Sequence, residues 1–90
     1  MLKRFVVGFL VALLLLWNPA FALAAEQPAL FATEQQAQQH CPVDVVVWLN
    51  LPSGIYHFKG QRWYGRTKHG AFVCKKEADQ AGDRGTRNGQ

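Results

Sequence analysis

The sequence lacks the motifs that mark common catalytic and redox sites. It holds two cysteines in 90 residues, without a Cys-x-x-Cys spacing, and its single serine is not in a Gly-x-Ser-x-Gly turn. The first absence argues against a thiol of lowered pKa, and the second against a serine nucleophile on a strand-to-helix turn. Asp44, Ser53 and His57 are residue types of a hydrolytic triad, but nothing around them marks an oxyanion hole. We therefore predict that the protein is not an enzyme and has no catalytic residues.

Acidic side chains are missing from the stretch between His57 and Lys76. This stretch contains aromatic residues and six basic ones, namely Lys59, Arg62, Arg66, Lys68, Lys75 and Lys76. Proteins that bind single-stranded nucleic acid combine basic side chains, which follow the phosphates, with rings that stack on bases. A small β domain also fills its core with aromatic residues and keeps its surface soluble with Lys and Arg. Both interpretations stay open at the level of sequence.

The N-terminal segment has the pattern of an export signal. Lys3 and Arg4 precede an uncharged run from residue 5 to residue 17, and Ala22-Leu23-Ala24 places small residues at the positions that a signal peptidase reads. The run is too short for a membrane span, which takes about 20 apolar residues. We predict that residues 1–24 are a cleaved signal peptide and that the protein is secreted or periplasmic. An uncleaved membrane anchor is the alternative.

The chain that remains after cleavage is small, and domains of this size often need a covalent cross-link for stability. Removing 24 of 90 residues leaves 66, with eight basic side chains against six acidic ones, and one core of this size is marginally stable. In an oxidising compartment, Cys41 and Cys74 are expected to form a disulfide. Closing that loop would stabilise the fold by about 3.5 to 4 kcal/mol in the chain-entropy model.

The pattern of the mature chain predicts an α+β domain with a three-stranded antiparallel sheet and two short helices. Thr33 to Gln36 has the form of a capping box for a helix that ends near His40. Alternating apolar residues and turn residues predict the remaining elements, which are strands at 43–51, 55–59 and 71–74 and a helix at 75–81 capped by Gly82. We expect a flexible lead-in over 25–32, one disulfide-stapled domain over 33–82 and a flexible tail over 83–90.

Alternation along the second strand divides its side chains between two faces. Tyr56 and Phe58 are the better core candidates, which leaves His57 and Lys59 with the basic residues that follow. The candidate binding surface therefore consists of His57, Lys59, Arg62, Trp63, Tyr64, Arg66 and Lys68. The exposure of Trp48, Trp63 and Tyr64 would distinguish a packed scaffold from a binding platform.

The three histidines were the remaining candidates for a metal site. His40, His57 and His69 are separated by 17 and 12 residues, which matches no local zinc-ligand spacing. Convergence of these three side chains would depend on the tertiary fold alone. We predict no metal and no cofactor, and a metal-binding module remains the second alternative.

Most of the mature chain resembles a group of small secreted bacterial proteins of unknown function. The resemblance rests on the run VVWLNLPSGIYHFKGQRWYGRTKHGAFVCKKEADQAGDR, which contains the shared pattern Trp-x-Asn, Tyr-His, Gly-x-x-Trp-Tyr-Gly-x-Thr-Lys, Glu-Ala and Ala-Gly-x-Arg. The layout is also similar to the metal-binding module of Ada-type DNA-repair methyltransferases, which holds zinc with four cysteines. Here Gly60 stands where the first ligand cysteine would be, and no Cys-x-x-Cys follows Arg84. The resemblance implies the scaffold without the zinc site.

These observations together predict a non-enzymatic binding or structural module of the bacterial envelope or exterior. The protein is expected to be a monomer, with an anionic polymer or an envelope component as its partner. The first alternative is a cationic module that binds nucleic acid, other anionic polymers or a membrane surface.

Export and disulfide formation are testable together by mass spectrometry. The exported protein should begin near Ala25 and weigh two hydrogens less than the dithiol form. Two free thiols in native, exported material would contradict the disulfide assignment.

Overall fold

The computed structural model describes residues 27–90, and the predicted signal peptide at 1–24 lies outside that part of the chain. The described residues form an α+β fold with two helices, a four-stranded mixed sheet and one disulfide, which confirms the predicted fold class. The elements in chain order are α1 (Glu34–His40), β1 (Val46–Asn50), β2 (Ile55–His57), β3 (Gly70–Cys74), α2 (Lys75–Gln80) and β4 (Arg84–Gly85). In residues 27–90, none of the helices has the length and apolarity that a membrane crossing requires.

The sheet has the strand order β3-β1-β2-β4, with β1 antiparallel to both of its neighbours. Trp48 stands opposite His57 on one side and Phe72 on the other, so these three residues share one face of the sheet. Leu49 pairs with Tyr56 and thereby belongs to the opposite face. The predicted three-stranded sheet is extended by β4, which runs parallel to β2.

The central strand β1 is shorter than predicted and is buried on both faces. Its first four residues are all buried, whereas Val43 is 94% exposed. The strand starts late because the Asp44 carboxylate accepts the backbone N–H groups of Val45 and Lys76, which folds residues 41–45 into a turn against α2. Alternation along the predicted strand at 43–51 gives one apolar and one mixed side, and in β1 residues from both sides are buried, because the strand is covered on both faces.

The start of α1 and the end of α2 are capped as the sequence predicts. The Thr33 hydroxyl accepts the N–H of Gln36, and the Gln36 side chain accepts the N–H of Thr33, which is a complete capping box. At the end of α2, Gly82 has a φ of 93°, and its N–H and that of Asp83 bond back to the carbonyls of Asp79 and Ala78. This pair of hydrogen bonds is a Schellman motif. The motif needs a residue with left-handed backbone conformation, which glycine adopts readily.

The segments predicted to be flexible are hydrogen-bonded to the sheet. In the tail, Arg84 and Thr86 donate their N–H groups to the carbonyls of Gly54 and Tyr56, at 3.0 Å each. Before α1, Phe31 exchanges two backbone hydrogen bonds with Phe72, at 3.0 and 2.9 Å. The sequence did not predict this pairing, because strand pairing uses backbone groups and needs no apolar side chain.

The main core lies between one face of the sheet and α2. It consists of Val47, Leu49, Tyr56, Val73 and Ala78, with Phe58 packed against it, so the core positions predicted for Tyr56 and Phe58 are confirmed. The Tyr56 hydroxyl donates to the Asp79 carboxylate at 2.6 Å. Burial first, and this hydrogen bond second, raise the pKa of Tyr56, while the same bond lowers the pKa of Asp79.

The predicted disulfide between Cys41 and Cys74 is confirmed. It joins the end of α1 to the end of β3 across a sequence separation of 33, with the two Cα atoms 6.3 Å apart. Ala37, the buried residue of α1, lies against this bond. The disulfide thus fixes the short helix α1, whose seven residues are too few to be stable alone.

The close approach of Gly70 to Trp48 offers a test of the fold. A Cβ atom at Gly70 would overlap the indole of Trp48. Gly70→Ala should therefore lower the free energy of unfolding by about 1 to 3 kcal/mol, as overpacking does. Chemical denaturation measures this loss. The control is Gly85→Ala, whose nearest contact would be Tyr56 at 3.2 Å and whose cost should be smaller. Equal stability of Gly70→Ala and the wild type would contradict the packing described here.

Candidate functional site

The candidate site lies in the connection between β2 and β3, which we call the arginine loop and define as residues 58–69. The loop is folded by its own hydrogen bonds: the Gln61 side chain accepts the N–H of Phe58, and the Gln61 N–H donates to the Phe58 carbonyl. Gly60 and Gly65 have φ values of 94° and 71°, which side chains with a Cβ rarely adopt. The two glycines allow the tight turns that return the chain to β3.

Aromatic and hydroxyl side chains hold the arginine loop against the sheet. The indole N–H of Trp48 donates to the Thr67 hydroxyl at 2.8 Å. Tyr64 meets the ring of Phe72 edge to face at 5.5 Å, and Phe72 meets Trp48 in the same way at 4.9 Å. These contacts bury the face of the sheet that α2 leaves uncovered, because the loop replaces a second layer of secondary structure.

The loop is also tied to α1 through one carboxylate. Glu34 accepts hydrogen bonds from Lys59 Nζ at 3.0 Å and from the Tyr64 hydroxyl at 2.8 Å. The hydrogen bond from Lys59, followed by that from Tyr64, lowers the pKa of Glu34. Burial, followed by the bond to Glu34, raises the pKa of Tyr64. The Tyr64 hydroxyl is therefore protonated and engaged as a donor at neutral pH.

An open cleft of about 340 Å³ lies on the outer side of the arginine loop. It is lined by Gly60, Gln61, Arg62, Tyr64 and Arg66. Beside it, the Arg62 guanidinium lies 4.9 Å from the centroid of the Trp63 ring, which is the arrangement of a cation–π contact. The Trp63 backbone N–H donates to the carbonyl of Gln90, so the C-terminal segment supports this side of the loop.

The two arginines of the cleft carry charge that the described residues leave uncompensated. Close pairs between basic and acidic side chains in residues 27–90 involve Lys59 with Glu34, Lys75 with Asp79 and His40 with Glu77. No carboxylate of that part of the chain lies within 4.0 Å of the side chain of Arg62 or Arg66. Both guanidinium groups are thus available to an anionic ligand.

Only some residues of the predicted binding surface lie at the cleft. It brings Arg62, Tyr64 and Arg66 together in the cleft, with Trp63 beside them at 38% exposure. Lys59 is paired with Glu34, and the exposed Lys68 does not line the cleft. The predicted surface also omitted Gly60 and Gln61, which line the cleft as well.

His57 was predicted to face outward with the basic residues, and this prediction is wrong. Its side chain is 7% exposed, and its Nδ1 atom has no hydrogen-bond partner among residues 27–90. Alternation placed His57 correctly on the face away from Tyr56. That face is covered by the arginine loop, however, and a strand pattern carries no information about a covering loop.

The three histidines do not converge within residues 27–90. The group of donor atoms close enough to share an ion in that range consists of His40, Cys74 and Glu77 and includes neither His57 nor His69. The three-histidine site that the sequence left open is therefore contradicted.

Comparison with known proteins adds no relative to this picture. No protein-family model, no curated protein and no solved structure matches the chain. The resemblances drawn from the sequence stay predictions, and the functional argument depends on the geometry of the site.

The anchoring role of Glu34 predicts a pH dependence. Because the pKa of Glu34 is lowered in the fold from 4.5, its contribution to stability is complete above pH 4.5 and is lost as the pH falls through the lowered value. At neutral pH, Glu34→Gln should cost about 0.5 to 1 kcal/mol, a small value because the group is partly exposed. The free-energy difference between wild type and variant, measured by denaturation at a series of pH values, should shrink in acid.

Asp83→Asn provides a control, because its stability difference from the wild type should change with pH in the opposite direction to that of Glu34→Gln. Burial first, and Asp79 second, raise the pKa of Asp83 from 3.8, so its ionised form is disfavoured in the fold. The stability of Asp83→Asn relative to wild type should therefore rise with pH. A pH-independent difference for Glu34→Gln would show that its carboxylate does not anchor the loop.

Proposed function

We propose that this protein is a non-enzymatic binding module of the bacterial envelope or exterior, and that it binds an anionic polymer through the cleft of the arginine loop. One observation carries the proposal: Arg62 and Arg66, whose guanidinium groups have no carboxylate partner in residues 27–90, line the same open cleft. The disulfide, which persists in oxidising compartments, is compatible with this location.

The chemistry of the cleft suits oxyanions. A guanidinium presents a planar fork of N–H donors that matches the two oxygens of a phosphate or carboxylate, which a lysine ammonium does not. The ring of Trp63 lies against Arg62 and restricts its orientation. Because Thr67 and Tyr64 are fixed to the sheet and to α1, the loop is organised before a ligand arrives.

The cleft is better suited to binding than to catalysis. The one ionisable hydroxyl in the cleft belongs to Tyr64. This hydroxyl donates a hydrogen bond to Glu34, and its pKa is raised, so it keeps its proton. A base or nucleophile must be available in its reactive form near neutral pH, and this phenol is not. Arg62, Arg66 and Gln61 supply hydrogen-bond donors that hold a ligand in place.

The exposure of the aromatic residues favours a polymer of simple oxyanions over a nucleic acid. Phe58, Tyr64 and Phe72 are in contact with other rings and partly buried, and of the four aromatic residues between positions 57 and 76 only Trp63 is exposed. Binders of single-stranded nucleic acid use several exposed rings for successive bases. One ring gives a small platform for stacking, so phosphate or carboxylate groups are the proposed contacts.

The proposal predicts salt-sensitive binding of inorganic polyphosphate. Tryptophan fluorescence should follow the titration, and the affinity should fall linearly on a plot of log K against log salt. Arg62→Ala combined with Arg66→Ala should weaken binding about tenfold or more, because charge-assisted hydrogen bonds are lost.

The matched control is Lys76→Ala combined with Arg87→Ala, which removes the same charge from exposed positions that do not line the cleft. It should retain most of the affinity. An equal loss in both double variants would mean that net charge alone attracts the polymer, and the absence of binding to polyphosphate would overturn the proposal. Tighter binding of an oligonucleotide of equal charge would favour the nucleic-acid alternative.

A further inference from the structure

A second group of functional side chains surrounds the disulfide, apart from the arginine loop. A ring nitrogen of His40, Sγ of Cys74 and a carboxylate oxygen of Glu77 all lie within 4.8 Å of one another. Sγ of Cys41 is bonded to that of Cys74 and lies beside this group without being one of its three mutually close atoms. Three donor atoms thus meet where α1 ends and α2 begins, and the Cys41 sulfur is attached to one of them.

Neighbouring groups hold the two non-sulfur members of this cluster in place. One carboxylate oxygen of Glu77 accepts the backbone N–H of Ala29 at 3.0 Å, and the other lies 2.7 Å from Nε2 of His40. The His40 ring packs beside that of Phe31, with the centroids 5.1 Å apart. Such contacts orient ligands before a metal binds, as outer-shell contacts do in zinc sites.

The cluster is sealed on one side and open on the other. Cys74 is 1% exposed, whereas the side chains of His40 and Glu77 are 42% and 34% exposed. An ion could therefore enter from solvent past the imidazole and the carboxylate and reach the sulfur atoms behind them. The burial of Cys74 limits the access of water to its sulfur, whereas Cys41 is partly exposed.

We propose that reduction of the disulfide converts this cluster into a Zn²⁺ site. In the disulfide form the sulfur atoms are bonded to each other and are weak ligands, since the thiolate is the form that coordinates metals. An external dithiol supplies two electrons and two protons to the disulfide, which gives two cysteine thiols and one external disulfide. Zn²⁺ then displaces the two thiol protons. The four ligands are Cys41 Sγ, Cys74 Sγ, His40 Nε2 and one oxygen of Glu77.

The donor set favours zinc over other divalent ions. Two thiolates, one imidazole and one carboxylate give four ligands, the number that zinc takes in structural sites with tetrahedral geometry. Mg²⁺ and Ca²⁺ prefer six or more oxygen ligands and would bind poorly. The ion would join the same two points of the chain that the disulfide joins, so the fold is stapled by a covalent bond in one redox state and by zinc in the other.

Cobalt substitution tests the site directly. The protein is reduced with a phosphine, passed through a desalting column without oxygen and titrated with Co²⁺. We expect one ion per chain, with the strong visible absorption of tetrahedral Co²⁺ and a thiolate-to-metal charge-transfer band, both removed by added Zn²⁺. The disulfide form should show neither band. Zinc should also raise the thermal midpoint of the dithiol form and leave that of the disulfide form unchanged.

Variants distinguish this site from zinc captured by two thiols of an unfolded chain. His40→Ala and Glu77→Gln should each weaken Co²⁺ binding about tenfold or more, a loss of about 1.4 kcal/mol. His69→Ala and Asp83→Asn, which alter residues outside the cluster, should bind as the wild type does. The proposal fails if His40→Ala and Glu77→Gln bind Co²⁺ with wild-type affinity, if the spectrum is that of octahedral Co²⁺, or if the disulfide form binds zinc equally well. Each of these results is independent of polyphosphate binding.

Discussion

The burial of β1 on both faces is the constraint on which the rest of the structure depends. A strand covered on two sides needs a layer of chain above and below it, and the described residues supply two helices of seven and six residues. α2 covers one face. The other face is covered by the arginine loop together with α1, so a segment without regular secondary structure acts as a layer of the core.

This arrangement explains why the loop can be both structural and functional. Contacts of Trp48, Tyr64 and Phe72 fix the loop to the sheet, and Arg62 and Arg66 line the cleft together with Tyr64. A binding site gains precision when rigid elements hold it, and here the sheet holds the loop through aromatic contacts. The same few residues therefore determine stability and the shape of the cleft.

Short sequence patterns predicted those parts of the fold that depend on only a few neighbouring residues or on the two cysteines. The Thr33 to Gln36 capping box, the left-handed Gly82 and the pairing of the two cysteines are each confirmed, since each depends on a few residues or on one covalent choice. Pairing of the tail with β2 and of Phe31 with Phe72 was not predicted. Both pairings use backbone hydrogen bonds, which do not depend on the type of side chain. For the site, the arginines were found, whereas the burial of His57 depends on a loop that lies over it.

The two short pairings at the margins of the sheet have a consequence for how the molecule meets its own copies. A long, flat edge strand is a template on which a second chain can add, and this is a common route to aggregation. In the described part of the chain, Phe31 occupies backbone groups of β3 on one side, and the opposite edge is formed by the two residues of β4. Edge-to-edge assembly of copies of this chain is thus disfavoured even at high local concentration.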